Sequence, residues 1–199
     1  MLEAYINLIL FAFLLLGTPG PATLAVAAIG AVFGFRQGML FVAGLLLGFA
    51  FVLIIESWGL SRLFAQYPQA KQYLQWFGLA YVIYLAFKIC TVDSEFKQGK
   101  ISQAPGWLDG FVLNVTNPKA YAAVLVIYTQ FLLPYDMTVT AYMITGVVCF
   151  LLVLVIDSAW LFLGQLLRPL FSRPKTAKLI RWCFAVSMVL AVVLILLYS

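Results

Sequence analysis

The chain has 199 residues, of which 65% are hydrophobic and 10% charged, with a formal net charge of +5. A water-soluble domain carries roughly 25% charged residues, so a water-facing surface is excluded and an all-α integral membrane protein is expected. There is no histidine, and the three cysteines, Cys90, Cys149 and Cys183, lie far apart. We therefore predict no metal site, no disulfide framework, no cofactor and no enzymatic activity.

At about 20 apolar residues per crossing, the sequence predicts six transmembrane helices. They lie at about 4–33, 39–60, 73–92, 108–133, 138–163 and 181–198. The first is too long for one crossing, and it is not read as a signal peptide because it starts with Glu3 and lacks an early cation. The motif Thr18-Pro19-Gly20-Pro21 breaks it near its middle, and Thr116-Asn117-Pro118-Lys119 breaks the fourth.

The basic residues predict the orientation. One set of loops holds only Arg62 and Lys71. The alternate set holds most of the cations: Arg36, Lys88, Lys97, Lys100, Arg168, Arg173, Lys175, Lys178 and Arg181. Because basic loops remain cytoplasmic, we expect a multi-pass protein of the bacterial inner membrane with both termini extracytoplasmic.

The two halves of the chain resemble each other. The sequence predicts a single transporter domain made of two repeats, repeat one at about 1–92 and repeat two at about 108–199. A polar cytoplasmic hinge at about 93–107 joins them. Each half has a broken first helix and one acid in its second helix, Glu56 or Asp157. Because three crossings reverse the second half, the pattern predicts two inverted-topology three-helix repeats, as in many secondary transporters.

The two breaks are the candidate substrate site. Proline removes a backbone N–H, so unwound backbone near the bilayer midplane is expected to offer bare carbonyls, and a half-helix N-terminus favours a carboxylate. A proline kink without function is the alternative, but matched breaks in both halves favour a substrate path. The predicted substrate-binding residues are Thr18, Pro19, Gly20, Pro21, Thr116, Asn117, Pro118 and Lys119.

Three of the charged residues within the predicted spans are candidates for a functional role. We expect Lys119 to meet the substrate carboxylate, or to pair with an acid in the empty site; snorkelling to the interface is the alternative. Asp157, and after it Glu56, are candidates to carry a coupling proton, because a low dielectric disfavours the charged carboxylate; the alternative is an interfacial acid. Gly44 and Gly48 are spaced for close helix packing, within the monomer or in a homodimer.

These motifs together resemble the lysine exporter (LysE/RhtB) family over nearly the whole chain. The resemblance rests on Thr18 to Pro21, Gly34-Phe35-Arg36-Gln37-Gly38, Gly44 and Gly48, Gly78-Leu79-Ala80-Tyr81, Tyr84-Leu85, Gly110-Phe111, Asn117-Pro118-Lys119, and Asp157 with Trp160. It implies export of amino acids driven by the proton gradient. The turn at Gly34 and the stretch 80–89 look most similar to the cysteine and O-acetylserine exporters.

One position departs from the family pattern. Many members carry an acid just after the second glycine of span two, where this chain has Phe49. A role for span two in coupling is therefore in doubt. Metal or other cation efflux, an intramembrane enzyme or redox carrier, and a non-transporting subunit of a membrane complex are the competing hypotheses. No ATP-binding loop or nucleic-acid module is visible.

Overall fold

The structure is a computed structural model that describes residues 1–59 and 104–167, with scattered positions between 66 and 87 and between 169 and 190. The two continuous ranges form helices and no strand. The helices are α1 Leu2–Gly17, α2 Pro21–Phe33, α3 Phe35–Ser57, α4 Trp107–Val115, α5 Pro118–Gln130 and α6 Thr138–Leu166. The predicted spans at 73–92 and 181–198 are described only at scattered positions, and most of the hinge at 93–107 lies outside the described residues.

Within the described ranges, the helices match the predicted positions of spans one, two, four and five. By length and composition, α3 and α6 can each cross a membrane. The pairs α1–α2 and α4–α5 meet the same requirement only when their halves are taken together, and they bend by 67° and 61°. The predicted breaks in the first and fourth spans are therefore confirmed, in an all-helical membrane protein.

Local sequence explains where each half-helix begins. Pro21 and Pro118 occupy the first turns of α2 and α5, where the missing N–H costs no hydrogen bond and the fixed φ suits a helix. At the start of α5, the Asn117 Oδ1 accepts a hydrogen bond from the Lys119 N–H at 3.1 Å. Gly20, which precedes α2, has no side chain to cap that helix. The two breaks therefore differ in how their helix N-termini are satisfied.

Gly34 alone joins α2 to α3. Its φ of 85° lies in the left-handed region that favours glycine, which allows the chain to change direction without a loop. The next residue, Phe35, donates its N–H to the Oε1 of Gln165 near the end of α6 at 2.7 Å. This bond satisfies one of the open donors at the start of α3.

Glycines allow helix backbones to touch at two seams. Between α3 and α4, a Cβ on Gly44 would collide with the carbonyl of Trp107, and a Cβ on Gly48 would crowd the Asn114 side chain. The predicted packing role of Gly44 and Gly48 is confirmed, and it operates within one chain. Both helices of this seam are consequently held at backbone contact.

The second seam joins α2 to α6. A Cβ on Gly164 would collide with the Ala27 carbonyl, and a Cβ on Gly30 would collide with the Leu161 carbonyl. Almost all of α2 is buried. The two seams therefore hold the half-helix α2 against α6 and the half-helix α4 against α3.

Contacts define the two ends of the helix assembly. The Tyr5 and Tyr135 hydroxyls lie 2.7 Å apart, and the Phe11 and Phe131 rings stack with centroids 4.5 Å apart. The start of α1 therefore lies beside the α5–α6 connection. Since Gln165, at the far end of α6, contacts the α2–α3 junction, that junction lies at the opposite end, as alternating crossings require.

Candidate functional site

The two helix breaks meet through Lys119. Its Nζ donates a hydrogen bond to the Thr18 carbonyl at 2.5 Å, across 101 residues of sequence. A Cβ on Gly20 would lie only 2.9 Å from the Lys119 Cδ, so the absence of a side chain at Gly20 makes room for the lysine. Lys119 is thus directed to the first break and does not snorkel to an interface.

A partly open cavity of about 40 Å³ lies at this meeting point. Its lining includes Gly20, Thr23, Asn114, Asn117, Lys119 and Asp157, with apolar side chains completing the wall. Ligand pockets are roughly 300–1,000 Å³. The cavity in this structure is therefore smaller than a pocket that holds a metabolite.

Asp157 lies at this cavity, well inside α6. Its side chain is 5% exposed, and Lys119 is its electrostatic partner. Among the contacts that the structure describes, Asp157 forms neither a hydrogen bond nor an ion pair. The acid is therefore buried beside the two breaks. A carboxyl in such surroundings is sensitive to a proton or a cationic ligand.

Side-chain donors reach three of the carbonyls at the breaks, so these three are not bare, contrary to expectation. The Trp160 indole N–H donates to the Gly17 carbonyl at 3.3 Å, and Lys119 donates to that of Thr18. At the second break, the Tyr121 hydroxyl donates to the Val115 carbonyl at 2.7 Å. An unsatisfied backbone polar group in a membrane costs free energy, so these donors stabilise the breaks.

The remaining predicted break residues shape the backbone and are not among those lining the cavity. The Thr18 hydroxyl donates to the Leu15 carbonyl at 3.1 Å, and the Thr116 hydroxyl donates to the Val112 carbonyl at 2.8 Å. Pro19, Pro21 and Pro118 belong to the breaks themselves. A direct substrate contact by these five residues stays a prediction.

Glu56 lies in a different environment. It is 7% exposed near the end of α3 and interacts electrostatically with Tyr121 and Tyr128 of α5. It does not line the cavity that contains Asp157. The structure therefore brings one of the two predicted coupling acids to the breaks and places the other elsewhere.

Eight of the twelve lining residues were not recognised as site residues from the sequence, and two of them, Phe49 and Asn114, change the chemistry of the cavity. Phe49 lines the cavity at the position where many family members carry an acid, so the departure noted above changes the chemistry of the cavity wall. Asn114 was read only as an interruption of the fourth span, but it is 5% exposed and lines the same cavity. A polar residue five positions before Lys119 was the available signal.

Two broken apolar helices whose breaks meet at a cavity lined by Lys119 and Asp157 are typical of membrane transporters. The chain belongs to the LysE type translocator family, whose model matches residues 12–199. The family resemblance inferred from the motifs is thereby confirmed.

Curated relatives cover most of the chain. A homoserine/homoserine lactone efflux protein of Salmonella typhimurium is 25% identical over 188 residues, covering 87% of this chain and 89% of the relative. A cysteine/O-acetylserine efflux protein of Escherichia coli K12 is 28% identical over 157 residues, covering 78% and 80%. No solved structure matches the chain.

Proposed function

We propose that this protein exports amino acids or close amino-acid derivatives from the cytoplasm, driven by the proton gradient. The observation that carries the proposal is the single cavity in which the two helix breaks, Lys119 and Asp157 come together. Relatives named for efflux of homoserine and of cysteine or O-acetylserine support it. The loop charges support an inner-membrane orientation with cytoplasmic basic loops.

The substrate carboxylate binds at the donor side of the cavity. Lys119 supplies a cation there, and Ala22 and Thr23 in the first turn of α2 line the same space. The N-terminus of a helix carries open N–H groups and the positive end of the helix dipole. Because Gly20 leaves this end without a side-chain cap, an anionic ligand group is favoured beside Lys119.

Asp157 carries the coupling proton. Its carboxyl is buried beside Lys119, so its protonation changes the balance of charge in the cavity. A proton that binds from the outside and leaves toward the cytoplasm returns the empty carrier for another amino acid. Glu56 is the second candidate for this role, through its interactions with Tyr121 and Tyr128.

Cation efflux, the main competing function, gains no support from the geometry. Soft metal ions require clustered Cys or His ligands, and hard ions require clustered carboxylates. In the part of the chain that the structure describes, no three His, Cys, Asp or Glu side chains lie close enough to hold a metal ion.

The test is efflux from proteoliposomes loaded with labelled homoserine, cysteine or O-acetylserine under an imposed proton gradient. Asp157→Asn is compared with Glu56→Gln, a matched neutralisation outside the cavity. We expect gradient-dependent efflux that is lost in Asp157→Asn and retained in Glu56→Gln. Loss in Glu56→Gln alone would transfer the coupling role to Glu56. Failure of the wild-type protein to export any amino acid in a wider panel would overturn the proposed function.

A further inference from the structure

Asn114 presents a polar group whose bonding is incomplete. Its side-chain Nδ2 donates to the Leu45 carbonyl of α3 at 2.7 Å. The residue is 5% exposed and lines the cavity. Its Oδ1 has no hydrogen-bond partner among the residues that the structure describes. Buried polar groups are normally hydrogen-bonded, so this oxygen requires a ligand or solvent donor.

The orientation of the amide follows from its neighbour. A backbone carbonyl can only accept hydrogen bonds, so the Asn114 group that faces Leu45 must be the NH₂. The Oδ1, on the other branch of the amide, does not take part in that bond, and the residue lines the cavity. Asn114 thus offers the cavity an acceptor, held in place by its own donor.

Donors and acceptors separate within the cavity. Lys119 and the first turn of α2 are donors, whereas the Asp157 carboxylate and the Asn114 Oδ1 are acceptors. A zwitterionic amino acid carries a carboxylate for the donor side and an ammonium group for the acceptor side. The donor side alone does not distinguish an amino acid from a simple carboxylic acid, whereas the acceptor side does, because only the amino acid carries an ammonium group.

We infer that Asn114 and Asp157 bind the substrate ammonium, with Asn114 fixing the specificity for an unblocked α-amino group. This inference rests on the proposed function and adds the polarity of the bound substrate. The substrate ammonium then takes the position beside Asp157 that a proton takes in the empty carrier. Substrates whose amino group is acylated or missing lack the donor that Asn114 requires.

The test compares amino acids with their deamino analogues, in which hydrogen replaces the ammonium group. Wild-type protein is expected to prefer homoserine, cysteine or O-acetylserine, whichever it exports, over the matching analogue. Asn114→Leu retains similar volume but removes the acceptor. It should raise KM for the amino acid by about tenfold or more, with little change for the analogue.

Asn114→Asp provides the matched variant. Like Asn114→Leu, it loses the amide donor to Leu45, but it keeps an oxygen acceptor in the cavity. Retained preference for the amino acid in Asn114→Asp and lost preference in Asn114→Leu would support the inference. Equal loss of transport for amino acid and analogue in both variants would show that Asn114 only packs α4 against α3, and would overturn it.

Folding and function are separated by two further measurements. Size-exclusion profiles of each variant in detergent report folding, and binding of the labelled amino acid is measured on the folded fraction alone. A wild-type protein that exports amino acids, with unchanged KM in folded Asn114→Leu, would overturn this inference and leave the proposed function standing. A wild-type protein that exports none would overturn the proposed function itself.

Discussion

Lys119 and Asp157 line one cavity, but Lys119 donates its hydrogen bond to the Thr18 carbonyl and forms no ion pair with the acid within the described contacts. A closed buried ion pair would satisfy both charges and leave little reason for a ligand to enter. With the charges apart, each remains available to the opposite end of a zwitterion. The separation is therefore the feature of the site that suits transport.

Removing Lys119 should affect stability as well as transport. Lys119→Met leaves the buried Asp157 without the nearby cation with which it interacts, and leaving a buried group uncompensated costs about 1–3 kcal/mol or more. Adding Asp157→Asn removes the lone charge, so the double variant should recover thermal stability but not transport. The coupling between the two residues is measured by thermal unfolding in detergent of the wild type, both single variants and the double variant. Simple additivity of the two stability changes would contradict the prediction.

The indole of Trp160 should stabilise the first break. Trp160→Phe keeps an aromatic ring but removes the donor to the Gly17 carbonyl, leaving a polar group unpaired at a cost of about 1–3 kcal/mol. We expect a lower unfolding temperature and reduced transport. Trp58→Phe is the control, because Trp58 is 85% exposed. Equal shifts in the two variants would show that the Gly17 contact contributes nothing specific.

The glycines at the two helix seams should not tolerate replacement by a residue with a side chain. Gly164→Ala would place a methyl group against the Ala27 backbone, and overpacking of this kind costs about 1–3 kcal/mol. Gly146→Ala lies in the same helix, but its Cβ would meet the end of the Tyr128 side chain at 3.1 Å. We expect strong loss of folded protein for Gly164→Ala and a milder effect for Gly146→Ala, measured by fluorescence-detected size exclusion.

Labelling should establish the orientation. Arg36 and Asp136 are exposed and lie near opposite ends of the helix assembly. In a background without the natural cysteines, a membrane-impermeant thiol reagent added to intact cells should modify Asp136→Cys but not Arg36→Cys. Permeabilised cells, in which both should react, provide the control. The reverse pattern in intact cells would place the termini in the cytoplasm.

The sequence predicts the breaks well, because their cause is local. Proline and glycine at 18–21 and 116–119 disrupt a helix in any surroundings, and both breaks appear where expected. It also predicts that Lys119 and Asp157 belong to the site, since buried charges in a membrane are usually functional. These conclusions need only composition and spacing.

The side chains that donate hydrogen bonds to backbone carbonyls near the breaks could not be predicted in this way. Trp160 reaches Gly17, and Asn114 reaches Leu45, only because α1 packs on α6 and α4 packs on α3. The sequence pattern predicts equivalent positions for Glu56 and Asp157 in the two halves, but tertiary packing gives them different neighbours. Symmetry in a sequence therefore identifies candidates, whereas the contacts decide which candidate reaches the cavity.

The contact between Trp160 and Gly17, 143 residues apart, bears on the biogenesis of the protein. A ribosome delivers α1 and its break to the membrane long before it has synthesised Lys119 or Trp160. Until then, the carbonyls of Gly17 and Thr18 lack their final donors in an environment where each unsatisfied group costs several kcal/mol. The first half must consequently await the second during insertion, which makes the whole chain the unit of assembly.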